Sequence, residues 1–162
     1  MDHTTWFLLV WLFPLATTIH NVEEGILLPS WSQKAGKWHA PVKKGEFHFA
    51  VIVLTIFAYV TTTLGQDTSS LWFYINLGYI LSMLINVFLP HLIGTLYLKQ
   101  YIPGLITALL FNLPINSWLL WQACYLEGFQ LDKFAIIAPI TVIAIVWSIP
   151  FLFYIGRKTL RY

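Results

Sequence analysis

The sequence predicts an all-α fold, a polytopic membrane helix bundle with five transmembrane helices, and three observations carry that prediction. Hydrophobic residues make up 58% of the chain and charged residues 10%, with a mean hydropathy of +0.71, outside the range of soluble domains. Five apolar stretches each approach the roughly 20 residues that a hydrocarbon core of about 30 Å requires. They fall at about residues 5–28, 46–64, 71–98, 101–126 and 133–156, and their short connectors leave no soluble domain over, so residues 1–162 read as a single integral membrane domain.

The first stretch starts without a basic flank, since Asp2 and His3 stand where Lys or Arg would be expected. No small-residue cleavage pattern follows, so it reads as a retained helix rather than a signal peptide. The connector at residues 29–45 carries Lys34, Lys37, Lys43 and Lys44 with Trp31 and Trp38, a mixture suited to a headgroup interface. Pro41 suits the first turn of the second helix, which puts His48 about two turns in. Residues 65–70 form a short polar turn, and Lys99-Gln100 alone separates the third and fourth stretches, which forces a tight antiparallel hairpin. The last connector holds Glu127-Gly128 and Asp132-Lys133. The many Trp and Tyr residues read mostly as interfacial belts. No internal repeat is visible, so an inverted-repeat transporter finds no support.

Charge sets the orientation. With five spans, Lys34, Lys37, Lys43, Lys44, Lys99, Arg157, Lys158 and Arg161 share one side and only Lys133 lies on the other. The positive-inside rule then places the N-terminus outside and the C-terminus in the cytoplasm, most simply at the plasma membrane. The same topology explains the thinly spread basic residues and argues against nucleic acid as a partner. Membrane lipids are the expected surroundings, and a homodimer is compatible with five short helices. The single Cys124 excludes an internal disulfide and a thiolate metal cluster, so any metal must be held by imidazoles and carboxylates. Neither Ser82 nor Ser117 sits in a nucleophile elbow.

The chemistry concentrates in His20-Asn21-Val22-Glu23-Glu24, at the end of an apolar run. Glu23 and Glu24 lie three and four residues from His20, so one helix face carries all three. Ionisable groups at membrane depth cost roughly 2.5 kcal/mol or more each, and such a cluster needs partners, a metal or water. His20 and His91 both fall about 10 to 12 Å inside the same ends of their helices at 1.5 Å per residue, and His48 starts from that side too. The expected site therefore gathers His20, Glu23, Glu24, His48 and His91 in the cytoplasmic half. In the third stretch, Pro90 cannot donate to the Asn86 carbonyl, so a kink and an open acceptor arise beside Asn86 and His91. At the head of the fourth, Tyr101-Ile102-Pro103-Gly104 combines a cheap first-turn Pro with a Gly that allows close approach. Asn112 and Asn116 lie one turn apart around Pro114, nearer the midplane.

HxxEE ending the first span, Asn-x3-Pro-His in the third and YxPG heading the fourth together resemble the HXXEE domain family of small membrane proteins. The resemblance covers most of the chain and marks His20, Glu23, Glu24, His91, Tyr101, Pro103 and Gly104. It implies an enzyme without naming a reaction; His48 is added by topology. The Glu pair is also similar to the EExxxR element of certain intramembrane proteases, but Gly25-Ile26-Leu27-Leu28 supplies no Arg.

Three functional readings follow. The first is a metal-dependent hydrolase of a lipidic or small substrate at the cytoplasmic leaflet, with His20, Glu24, His91 and His48 as ligands and Glu23 as general base. Zinc suits such ligands best, with iron or manganese as alternatives. Asn86, Tyr101, Pro103, Gly104, Asn112 and Asn116 would shape the pocket. The second is a metal-free acid/base isomerase of a lipid-soluble substrate, and the third a small transporter or ion-binding protein. Polarity confined to one half favours an enzyme over a conduit.

Overall fold

The structure, a computed structural model, describes residues 3–36 and 40–160, so Asp2, Lys37, Trp38 and Arg161 lie outside the described residues. The described residues are helical with no strand. Helices α1 (His3–Leu9) and α2 (Leu12–Ser32) form one rod, interrupted at Val10-Trp11. Pro14 explains the break, because it has no N–H for the Val10 carbonyl and its ring crowds that group. Helix α3 runs Lys44–Leu64, and the Glu46 carboxylate accepts from the Lys43 N–H at 2.6 Å to cap it. It starts beyond Pro41, so His48 lies one turn in rather than two.

Helix α4 (Leu71–Asn86) is capped by the Ser70 hydroxyl, which accepts from the Phe73 N–H at 3.1 Å. It passes into a π-helical turn, Val87–Ile93, centred on Pro90, and then into α5 (Gly94–Leu98). After an irregular segment come α6 (Leu105–Thr107), a second π-helical turn Ala108–Asn112, and α7 (Leu113–Ala123). Helix α8 runs Leu131–Thr159.

Four helices are long and apolar enough to cross a membrane: Thr4–Ser32, Lys44–Leu64, Leu71–Leu98 and Leu131–Thr159. Helices of this length and apolarity mark the chain as a membrane protein. The expectation of five such helices is corrected at the fourth stretch. Residues 99–104 are not helical there, and the remaining rod is diluted by Asn112, Asn116 and Gln122. That rod still carries the chain from one end of the bundle to the other. Beyond it, the Thr68 hydroxyl donates to the Glu127 carbonyl at 3.1 Å and the Gln130 N–H to the Tyr74 hydroxyl at 3.0 Å, beside the α3–α4 turn.

The core lies away from the lysine-rich connector and is largely aromatic. Trp6 meets Phe73 at 6.0 Å between ring centroids, and Phe13 meets Tyr79 at 5.3 Å, both edge to face. Trp6, Tyr74 and Tyr79 are fully buried, so part of the Trp and Tyr content is core rather than belt, whereas Trp72, Trp121 and Trp147 are exposed. Helix α8 docks on α4 through Gly78, where a Cβ would come within 2.7 Å of the Thr141 Cβ. At its other end Arg157 donates to Glu46 on α3 at 2.9 Å. Replacing Gly78 by Val should force α4 and α8 apart and cost about 1 to 3 kcal/mol. Unfolding in mixed micelles, followed by circular dichroism, measures this, and unchanged stability would contradict the close crossing.

Candidate functional site

His20, Glu24 and His91 converge below the core. Helix α2 presents His20 and Glu24 on one face, and the π turn around Pro90 turns His91 toward them. The imidazoles meet edge to face at 4.9 Å between centroids and are 1% exposed. Glu24 Oε1 lies 3.7 Å from His20 Nε2 and 3.3 Å from His91 Nε2, and one ligand atom from each residue falls within 4.8 Å of the others. This buried group can hold a metal ion.

Hydrogen bonding sets the His20 lone pair. The Thr107 hydroxyl has one proton and lies 2.6 Å from Glu23 Oε2, which can only accept, so it donates there. Toward His20 Nδ1, at 3.2 Å, Thr107 Oγ1 therefore accepts, which puts the His20 proton on Nδ1. His20 Nε2 is then a lone pair that accepts from the Asn86 amide at 3.2 Å, and the same amide lies 3.0 Å from His91 Nε2. Two imidazole nitrogens and a carboxylate thus face one small volume, a donor set that suits a cation.

Glu23, one residue away on the helix, turns aside from this group. Its Oε1 accepts from the Tyr101 hydroxyl and from the Gly104 N–H at 2.8 Å; its Oε2 accepts from the Thr107 N–H at 3.0 Å and from the Thr107 hydroxyl. The carboxylate thereby caps the start of α6, whose own N-cap residue, Gly104, has no side chain to do so. Burial and this carboxylate together push the Tyr101 phenol up to about 12. Gly104 has φ +96°, and a Cβ there would come within 2.6 Å of His91 Cε1 and 2.9 Å of His20 Cε1. Backbone conformation and space both demand glycine. Pro103 precedes it in the turn, as the sequence suggests.

His48 does not join the group. Its Nε2 donates to the Gly25 carbonyl at 2.7 Å and ties α3 to α2, because a start at Lys44 places it one turn nearer the helix end. Asn112 and Asn116 are fully buried on the rod that carries Thr107, and their amides have no partner among the described residues. Thr107 was not singled out from the sequence. Its signal was indirect: a helix starting Pro-Gly inside a membrane protein leaves N–H donors without a cap, so an acceptor must arrive from another helix.

A cavity of about 680 Å³ opens beside the group, and His20, Glu24, Asn86 and His91 line it while Glu23 does not. The family described as "Protein of unknown function with HXXEE motif" matches residues 11–119. The chain belongs to this family. It is 44% identical over 149 residues to "Uncharacterized protein YrkK" of Bacillus subtilis (strain 168), covering 90% of this chain and 94% of that one. No solved structure matches the chain. The match places HxxEE, Asn86-x3-Pro90-His91 and Tyr101-x-Pro103-Gly104 of this HXXEE protein inside the matched residues.

Removing Glu23 would strand four donors at once. Glu23→Ala should cost roughly 3 kcal/mol or more, whereas His48→Ala, which loses one neutral bond, should cost about 1 kcal/mol. Thermal unfolding in detergent ranks the two, and hydrogen exchange at the Gly104 and Thr107 amides should accelerate only in the Glu23 variant.

Proposed function

We propose that this HXXEE protein is a metal-dependent hydrolase embedded in the membrane, acting on a lipidic or small substrate at the cytoplasmic leaflet. The observation that carries the reading is the convergence of two imidazole nitrogens and the Glu24 carboxylate in one buried space. Tetrahedral zinc with bonds of about 2.0 to 2.1 Å sets its ligand atoms about 3.3 Å apart. The 3.3 and 3.7 Å separations from Glu24 suit it, and the three ligand atoms lie within 4.8 Å of one another. Zinc fits this set best, and iron or manganese would fit if the Asn86 oxygen and further oxygens joined.

A bound divalent ion supplies Lewis acidity and an acidified water. The chain's residues do the rest. Thr107 holds the His20 tautomer, and Glu23 holds Thr107, the carboxylate-to-imidazole support that metal sites use to orient ligands. Glu23 thus acts as a positioning residue rather than the general base. Glu24, the carboxylate that lines the cavity, serves such an ion as a ligand, and in a metal-free reaction it would be the one to take up a proton. A metal-free acid/base enzyme is the second reading, favoured by the 3.3 Å His91–Glu24 contact, which also suits a shared proton. For topology we read the broken rod from Leu105 to Ala123 as a fifth crossing. That reading keeps the N-terminus outside and the lysine-rich connector in the cytoplasm.

Elemental analysis of the purified protein should find about one zinc, iron or manganese per chain, lost in His20→Ala, His91→Ala and Gly104→Ala and retained in His48→Ala. A metal-free wild type, even after reloading, with the variants still folded, would replace this reading with the acid/base one.

A further inference from the structure

We propose that the cavity beside His20 and His91 binds a single-chain amphiphile, its apolar tail in the deep end and its polar group against His20, Glu24 and His91. This deepens the hydrolase reading and rests on it for the chemistry at the polar group.

The cavity's shape and lining point to that ligand. At about 680 Å³ it is within the range of small-molecule sites, and apart from the His/Glu group its walls are chiefly apolar. The group sits partway along it rather than at its end. Asn21 on α2 bonds Thr55 on α3 at 2.7 Å, which sets the group level with Leu54. Gly78, against Thr141, lies eight residues from Asn86, about 12 Å along α4. Tyr79, Met83, Val142 and Ile145 therefore line a pocket that continues past the imidazoles toward the core. The Tyr79 hydroxyl there already donates to the Leu54 carbonyl at 2.9 Å, so it offers an incoming ligand no donor. Such a space suits hydrocarbon and disfavours water.

The entrance matches a membrane-borne molecule. Leu89 and Ile93 on the π turn and Val146 on α8 form part of the rim and are 60%, 52% and 55% exposed. These side chains face hydrocarbon in a bilayer, so a chain can enter sideways without leaving the leaflet. Toward the helix ends the lining passes to Trp31 and Phe153, near the exposed Lys43 and Lys44, so the slot's polar end opens toward water. One continuous slot takes one chain.

The test uses full-length protein in lipid nanodiscs and a long-chain fatty acid carrying a terminal diazirine. After illumination, peptide mapping should place the label on segments containing Leu54, Met83 and Val142. Val142→Phe and Ile145→Phe, which fill the deep end, should lower that labelling at least fivefold. Bound metal, measured on the same samples, should be unchanged. In wild type, unlabelled fatty acids should protect increasingly with chain length and then level off. Label confined to outward positions such as Ile136, Ile143 and Trp147, or no protection by any chain length, overturns the pocket. The protection series decides the matter if either variant fails to fold. Metal without tail labelling defeats this inference alone, and tail labelling without metal defeats the hydrolase reading alone.

Discussion

A helix that starts inside a membrane protein presents N–H donors that lipid cannot satisfy, and here the Glu23 carboxylate satisfies them from another helix. Much of the site's shape depends on that tie. It docks α2 against the Tyr101–Thr107 turn, presses Gly104 onto the two imidazoles and fixes Thr107 against His20. Consecutive helix residues point about 100° apart at 3.6 residues per turn. HxxEE therefore sends one carboxylate to its own histidine and the other to a neighbouring helix.

The prolines do complementary work. Pro14 breaks the first rod, and π-helical turns surround Pro90 and precede Pro114. Each withholds an N–H where a regular helix needs one; at Pro14 the rod breaks into a turn, and around Pro90 and before Pro114 the backbone widens. Such irregularity is tolerated at membrane depth only where protein or a cavity covers it. At Pro90 that geometry delivers His91 and opens the slot beside it. The polar Asn112, Asn116 and Gln122 explain why the fourth rod falls short in apolarity while still traversing the bundle.

Much of the site was legible in the chain. The convergence of His20, Glu24 and His91 follows from matching depths in antiparallel topology, and the structure brings those three together. Glu23 and His48 share the same depth but were not distinguishable by it. Depth says how far along a helix a group lies, and which way the side chain turns depends on rotation and on competing partners. Glu23 found four donors and His48 a carbonyl. The buried Trp6, Tyr74 and Tyr79 were hidden for a related reason, since an aromatic ring near a helix end suits a belt and a core equally.

Composition and hydropathy by themselves determined the helical membrane class, because a chain this apolar and this poor in charge must satisfy its backbone within helices. Motif spacing determined which side chains share a helix face. Only the tertiary structure decided that Glu23 is an anchor, that Thr107 and Asn86 orient the imidazoles, and that an apolar slot runs past them. Those outcomes depend on contacts between residues as far apart as Glu23 and Thr107, and helix periodicity carries no information about what a face meets.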